Sequence, residues 1–278
     1  MAKTIAKLVV KGVIQEKNDT YSQEWILKEL KELTKNKKNA GLLLYIDSPG
    51  GGVYESDEVY NAVLKYKEET KRPVYAYFAS LAASGGYYIG CSADKIFANR
   101  NTLTGSIGVI AGRFVDLTEL MKTHGIKTET IHAGRNKVMG NFTEPVTEEQ
   151  RKIMQTIADE CYEQFTDLVA QSRKLPLDKV KELADGRIYT AKQAQEAGLV
   201  DKVLTIQEAQ EIIYQEVFND KDYKEELEEH KYKAKVPLFK KFLKNTCVPL
   251  DTTSILAKAA LKSTQMPFPA FFYDSGRY

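Results

Sequence analysis

The sequence predicts an α/β fold in which a parallel sheet is wound with helices. Two observations lead to this prediction. Apolar, β-branched runs alternate with segments of helical periodicity from Ile5 to Gly198, and alternation of this kind implies parallel strands joined by crossover helices. One run, Gly41 to Asp47, is continuously apolar, which is typical of a strand covered on both faces. The 278 residues, 43% of them hydrophobic, suffice for one sizeable core and an appendage.

The first part of the chain alternates strand and helix in a regular way. Ile5 to Ile14 predicts a strand, and Ser22 is placed to cap the helix that follows, whose leucines and isoleucine share one face. The strand Gly41 to Asp47 is broken by the glycine-rich loop Ser48 to Gly52. A second helix then leads to the apolar strand Val74 to Phe78.

The same alternation continues toward residue 200. Three further strands are predicted at Lys95 to Ala98, Ser106 to Ala111 and Thr128 to Ile131. A short helix is predicted at Val115 to Thr123. Thr147 and Gln150 form a capping box, which predicts the start of a long helix with one apolar stripe. Asp178 to Ala184 and Thr190 to Ala197 predict two short helices. These elements complete a predicted domain over residues 1–204.

Residues 205–278 form a predicted C-terminal extension of different composition. Asn219 to Lys235 is dense in Lys and Glu, which favours a helix with a solvated face. The terminal run Met266 to Tyr273 is strongly apolar, so we expect it to dock against protein rather than extend into water.

Charge and cysteine content exclude several functional classes. Forty basic and 38 acidic residues nearly cancel, so no overall field attracts nucleic acid or an anionic membrane. The cysteines, Cys91, Cys161 and Cys247, lie far apart without a CxxC pair, which indicates buried thiols rather than disulfides or a zinc site. No run of about 18 apolar residues and no signal peptide is found. The sequence gives no sign of a metal, nucleotide or other cofactor.

Two glycine-rich loops are the candidate reactive elements. Ala82 to Tyr88 follows the strand Val74 to Phe78, and a sharp turn there lifts the hydroxyl of Ser84 to its tip, as in a nucleophile elbow. The N–H of Gly85 then faces any oxygen bound beside that serine. Ser48 to Gly52 offers a second set of free N–H groups at the end of the preceding strand. Either loop alone suits a tight turn, but together they predict an oxyanion hole.

A nucleophilic serine requires a base. Of the three histidines, His230 lies in the charged extension and His124 at a helix end, which favours structural roles, while His132 favours a surface or supporting position. Lysine remains as the candidate, and Lys137 lies between glycines in the loop Ala133 to Gly140 after a predicted strand. The residues alone do not distinguish it from the other basic side chains.

Five motifs occur in order along the chain: Tyr45-Ile-Asp-Ser-Pro-Gly-Gly-Gly52, Ala82-Ala-Ser-Gly-Gly-Tyr-Tyr88, Leu103-Thr-Gly-Ser-Ile-Gly-Val109, Gly134-Arg-Asn-Lys137 and Ala184-Asp-Gly-Arg-Ile-Tyr-Thr190. Their combination resembles the signal peptide peptidase A (SppA) family, serine peptidase family S49 of the Clp/crotonase superfamily. The resemblance extends from Ile5 to about Val203. It implies a Clp/crotonase-like fold with repeated ββα and βα units.

The resemblance also assigns chemical roles. It implies that Ser84 attacks the scissile carbonyl and that Lys137 takes its proton and returns it to the leaving amine. Ser106 matches the position that orients the lysine amine, and Gly51 and Gly85 match the oxyanion donors, although the glycine before Gly51 is equally able to donate. Because a lysine acts as a base only when uncharged, we expect burial of its amine and a rate that rises with pH.

Short members of this family resemble the chain in having a single half and form ring-like homo-oligomers, so Lys137 of one subunit is expected to meet Ser84 of its neighbour. The implied substrates are hydrophobic peptides, such as cleaved signal peptides, bound in extended form. The apolar residues Phe268 to Tyr273 are expected either in the ring's own substrate groove or packed on protein elsewhere. Family members are bacterial-type and usually carry a membrane segment ahead of the first strand, and such an anchor is not encoded here.

Three alternatives share the predicted fold. A crotonase-type enzyme acting on acyl-coenzyme A would need a glutamate near Ser84, but Ala79 to Gly90 contains no carboxylate. A Clp-type Ser-His-Asp peptidase would need a histidine, but none lies between Ser84 and His124. A catalytically silent scaffold is disfavoured by the joint presence of Ser84, Ser106 and Lys137.

Overall fold

A computed structural model of the chain describes residues 3–220, 223 and 227–234, together with the backbone of residues 270–272. These residues form ten strands: β1 (Thr4–Lys11), β2 (Asn39–Ser48), β3 (Gly50–Gly52), β4 (Val74–Ala83), β5 (Lys95–Ala98), β6 (Leu103–Gly105), β7 (Ile188–Thr190), β8 (Lys202–Val203), β9 (Glu228–Lys231) and β10 (Ala270–Phe272). They also form eight helices: α1 (Gln23–Lys35), α2 (Val53–Thr70), α3 (Gly85–Gly90), α4 (Thr118–Thr123), α5 (Glu148–Arg173), α6 (Leu177–Leu183), α7 (Ala191–Glu196) and α8 (Ile206–Phe218).

Eight of the strands build one sheet that forks at β4. The main path runs β7-β6-β4-β2-β1-β9, and β5 pairs with the first half of β4 and with β8. All pairs are parallel except β6 with β7. The second half of β4 turns to β6 instead of β5, with Ala83 opposite Gly105. The predicted parallel sheet is therefore confirmed, and its fork brings the ends of β4 and β6 together.

The two faces of the sheet bury separate clusters of apolar side chains. Alternate residues of β1 point to opposite faces, so Leu8 packs with α1, α2, α3 and α5 while Ile5 packs with α8. In α8 the side chains of Ala209, Ile213 and Tyr214 are buried against the sheet. The start of the C-terminal extension is thus part of the same packed structure as residues 1–204. In the described part of the chain, no helix has both the length and the apolarity needed to cross a membrane.

The charged segment of the extension contains a strand where we predicted a helix. β9 pairs in parallel with the outer edge of β1, with Leu8 opposite His230. Its charged side chains find partners there: Lys7 lies 2.7 Å from Glu229, and His230 Nδ1 lies 2.9 Å from Glu29. Charges are well suited to the edge of a sheet, where one side of the strand faces water.

The local signals for helix starts are confirmed. Ser22 accepts a hydrogen bond from the Trp25 amide, and Thr147 and Gln150 form the predicted capping box of α5. Two predicted strands are wrong. Ser106 to Ala111 is irregular apart from a single bridging residue, because the chain has left strand geometry at Ser106, whose φ is 49°. Thr128 to Ile131 is exposed coil that pairs with none of the described strands.

The thiols agree in part with the prediction that they are buried. Cys91 is buried, Cys161 is half-buried, and Cys247 lies outside the described residues. Burial raises the pKa of the Cys91 thiol to about 12. This cysteine is therefore a small apolar side chain of the core.

Candidate active site

Ser84 lies at the sharp turn between β4 and α3. Its φ of 54° and ψ of −119° are strained for a residue with a side chain. The turn is held by two hydrogen bonds, from the Ser84 amide to the Gly105 carbonyl (2.8 Å) and from the Tyr88 amide to the Ser84 carbonyl (2.9 Å). The Ser84 side chain is fully buried, and its Oγ has no hydrogen-bond partner among the described residues. A strained turn that presents an unpaired hydroxyl is typical of a nucleophile.

Ser106 lies beside Ser84. Since Ala83 of β4 pairs with Gly105 of β6, each serine is the first residue after a pair of matched strand ends. Ser106 is 7% exposed, and its amide donates to the Arg187 carbonyl at 2.8 Å. The fork of the sheet thus brings two buried serines to one edge.

The loop of β3 approaches the same place. The Gly50 amide donates to Ser48 Oγ (3.1 Å) and the Gly52 amide to the Ile14 carbonyl (2.8 Å). The Ile14 amide in turn donates to the Gly50 carbonyl at 2.8 Å. Because neighbouring residues of an extended chain direct their amides to opposite sides, the amide of Gly51 faces away from Ile14. Its nitrogen is 3.3 Å from the position that a Cβ on Gly85 would occupy.

Two of these glycines have no room for a side chain. A Cβ on Gly51 would lie 1.8 Å from the Ile14 carbonyl oxygen, and a Cβ on Gly85 would lie 2.4 Å from Ser56 Oγ. The close approach of the two loops therefore depends on glycine at both positions. The sequence prediction did not single out Ser56, which is fully buried in the first turns of α2.

Helix α3, which begins with Gly85, is fixed to its neighbours by a polar cluster. The Tyr88 hydroxyl donates to Asp57 Oδ1 at 2.7 Å, and Gln164 Nε2 donates to the Tyr88 hydroxyl at 2.8 Å. Burial, followed by the bond to Asp57, raises the pKa of Tyr88, so the phenol stays protonated. These bonds join α3 to α2 and α5 directly behind the nucleophile turn.

The apolar tail reaches this site at one described point. Strand β10 pairs antiparallel with β3, with Phe271 opposite Gly51. The side of β3 that faces away from Ile14 is thus covered by an extended segment. The remainder of the predicted apolar run, from Met266 to Pro269 and at Tyr273, lies outside the described residues.

Lys137 is not brought to Ser84 within one chain. Its loop folds back through a bond from the Lys137 amide to the Gly134 carbonyl (3.0 Å) and is tied to α5 by Arg135 and Glu149 (2.5 Å). The Lys137 side chain is exposed, and its amine makes no hydrogen bond to Ser84 Oγ. The expected burial of the amine is therefore absent from the isolated chain.

The histidines stay away from the nucleophile. His132 is exposed with Nδ1 near the Gly134 carbonyl, His124 ends α4, and His230 lies in β9. Since Ser84 Oγ has no partner among the described residues, none of the three is placed as its base.

The segment that carries Lys137, residues 110–142, also exposes many apolar side chains. Its exposed members and their exposed fractions are Ile110 (40%), Val115 (55%), Leu120 (56%), Ile126 (55%), Ile131 (94%) and Phe142 (52%). Apolar surface of this extent is typical of a protein-binding face.

Comparison with known proteins shows that the chain is similar to peptidases. The model of the protein family described as "Peptidase family S49" matches residues 66–217 of the chain. The chain is 40% identical over 208 residues to a putative signal peptide peptidase SppA of Enterococcus faecium, covering 72% of this chain and 60% of that protein. It is 40% identical over 209 residues to the putative protease slr0021 of Synechocystis, covering 75% of this chain and 73% of that protein.

The fold is similar to that of a point mutant of ClpP1 from Listeria monocytogenes, with a TM-score of 0.50. The similarity covers 73% of this chain and 92% of that chain at 17% sequence identity. This confirms the predicted Clp/crotonase-like fold.

Proposed function

The chain belongs to peptidase family S49, and from this premise we propose that it is a serine endopeptidase in which Ser84 is the nucleophile and Lys137 the general base. The main support is the buried, unpaired hydroxyl of Ser84, held at φ 54° beside the amides of two glycine-rich loops. Neither the strain nor the unpaired polar atom is needed for a stable turn.

The amides of Gly51 and Gly85 stabilise the oxyanion in this proposal. As Ser84 Oγ attacks the scissile carbonyl carbon, negative charge develops on the carbonyl oxygen, and preorganised N–H donors lower the energy of that state. Gly50 is the weaker candidate, because its amide already donates to Ser48 Oγ. Gly51 and Gly85 adjoin, since the Gly51 nitrogen lies 3.3 Å from the position that a Cβ on Gly85 would occupy.

Lys137 reaches Ser84 from a neighbouring subunit. Within one chain the two residues do not meet, and residues 110–142 around Lys137 expose six large apolar side chains. Association through this segment buries those side chains together with the amine, and desolvation favours the uncharged form that accepts a proton. The Ser84 proton passes to the lysine nitrogen and then to the leaving amine; water releases the acyl group by the reverse transfer. Ser106, beside Ser84, accepts or donates a hydrogen bond that orients the amine.

The substrates we propose are hydrophobic peptides bound in extended form, such as remnants of signal peptides. Strand β10 supports this mode of binding, since Ala270 to Phe272 adds to β3 as an extra strand at the Gly51 amide. The three residues of that strand are themselves apolar. A substrate that follows the same path presents its backbone carbonyl to the oxyanion donors.

A complementation experiment tests both the dyad and its sharing between subunits. Ser84→Ala and Lys137→Ala are each expected to abolish cleavage of a fluorogenic hydrophobic peptide. If the two variants are co-expressed in equal amounts and assemble at random, about one site in four pairs an intact Ser84 with an intact Lys137. We therefore expect about a quarter of the wild-type rate to return.

The outcomes separate the claims. An inactive mixture whose variants still co-assemble contradicts sharing between subunits. Full activity in Ser84→Ala contradicts the nucleophile assignment, and full activity in Lys137→Ala contradicts the base assignment. Sedimentation of each variant and of the mixture gives the required control for assembly.

A further inference from the structure

We infer that Ser56 is a positioning residue that sets the separation between the two oxyanion donors; the inference rests on the proposed function. Ser56 lies four residues after Gly52 on α2, and its side chain is fully buried. Its hydroxyl donates to the Gly52 carbonyl at 2.8 Å. Ser56 is thus bonded to the end of the loop that contains Gly51.

The same hydroxyl contacts the second loop. The position of a Cβ on Gly85 lies 2.4 Å from Ser56 Oγ and 3.3 Å from the Gly51 nitrogen. Bonding of a helical serine to the carbonyl four residues earlier is common and has little consequence on a solvated surface. Here the oxygen occupies the space between the two donor loops. It is therefore bonded to the residue that follows Gly51 and lies next to Gly85.

This position makes the hydroxyl a spacer. Without it, the Gly52 carbonyl loses one bond, and an atom-sized gap opens next to Gly85 in a densely packed region. The two amides then relax relative to each other. Because stabilisation of an oxyanion requires donors about 2.7 to 3.1 Å from the oxygen, a shift of well under 1 Å weakens the transition state more than the bound substrate.

The test compares Ser56→Ala with a matched control, Ser92→Ala. Ser92 is also a fully buried serine, and its hydroxyl donates to the Ile89 carbonyl at 2.6 Å, but it lies two residues beyond the end of α3, at the opposite end from Gly85. We expect Ser56→Ala to lower kcat about ten- to a hundredfold with KM nearly unchanged, and Ser92→Ala to change neither. Ser56→Thr retains the hydroxyl and is expected to recover most of the activity.

Inhibitor binding gives a measurement that a merely structural role would not change. A trileucine aldehyde adds to Ser84 Oγ and places its carbonyl oxygen in the oxyanion hole, with the serine proton passing to the base, whereas trileucinol forms no such adduct. Ser56→Ala is expected to weaken the aldehyde about ten- to a hundredfold and the alcohol less than about threefold.

Equal weakening of both compounds, or a kcat for Ser56→Ala that matches Ser92→Ala, overturns the role of Ser56 while the peptidase assignment stands. Loss of activity in Ser56→Thr as deep as in Ser56→Ala also overturns it. Failure of the proposed function gives a different result, since the wild-type protein would then neither cleave the peptide nor lose activity on Ser84→Ala. Thermal unfolding of each variant establishes that it is folded.

Discussion

Replacement of Gly51 by alanine is expected to damage stability and catalysis together. The new Cβ would lie 1.8 Å from the Ile14 carbonyl oxygen and 2.6 Å from its carbon. Both are backbone atoms, so no rotamer change relieves the clash, and the two segments must separate by about 1.5 Å to restore a carbon–oxygen contact of about 3.3 Å. That separation breaks the bonds from Ile14 to Gly50 and from Gly52 to Ile14, each 2.8 Å long.

The magnitudes follow from those two bonds and the displacement. At about 1 kcal/mol for each hydrogen bond, Gly51→Ala lowers the free energy of unfolding by about 2 kcal/mol. A donor displaced by about 1 Å costs about a hundredfold in kcat/KM. Urea unfolding measures the first quantity, and hydrolysis of a fluorogenic hydrophobic peptide measures the second.

Gly108→Ala is the matched control. Its Cβ would find the nearest atom, Gly186 Cα, at an ordinary 3.5 Å, so we expect a change below about 0.5 kcal/mol and an unchanged rate. Wild-type stability and turnover in Gly51→Ala would refute the claim that this glycine holds the loop and supplies a donor.

Three further results are expected. Deletion of Met266 to Tyr278 removes a tethered competitor from β3 and raises kcat/KM for an added peptide several-fold; an unchanged rate means that the tail does not occupy the groove. Cys91, whose pKa of about 12 leaves about one thiolate in ten thousand at pH 8, is expected to resist Ellman's reagent until the protein unfolds, and rapid labelling contradicts its burial. Because its pKa is raised on folding, its contribution to stability is full below the unfolded pKa near 8.5 and declines as pH rises toward 12. Asp201→Ala leaves the buried Arg173 guanidinium without its two-bond partner and is expected to cost about 2 kcal/mol in chemical unfolding, while a cost below about 0.5 kcal/mol shows that the pair is dispensable.

The sequence predicted those parts of the fold that depend on near neighbours. Ser22 and Thr147 cap their helices through groups three residues away, and the strand Lys95 to Ala98 is predicted to the residue. The strand at Glu228 to Lys231 was missed because its pairing partner is β1, more than 200 residues earlier. The charged segment forms a strand there because β1 has an open edge and because Lys7 and Glu29 provide partners for Glu229 and His230.

In the candidate site, too, the features set by near neighbours were predicted and those set by distant packing were not. The nucleophile turn at Ser84 could be predicted from small residues after a strand, and the structure places Ser106 and Gly51 close to it. The approach of Ser56 to Gly85 depends on how α2 and α3 pack and leaves no local pattern in the sequence. The base was assigned by resemblance, and its place beside Ser84 remains a prediction that requires a second subunit.

The pairing of β9 with β1 has a consequence for synthesis of the chain. β1 leaves the ribosome more than 200 residues before residues 228–231, and its outer edge finds its partner only when those residues emerge. At about 5 to 20 residues per second, that edge stays open for roughly 10 to 45 s. During this interval the nascent chain presents an apolar strand with unpaired main-chain groups to other proteins, so we expect holding chaperones to bind near residues 4–11 until residues 228–231 have emerged.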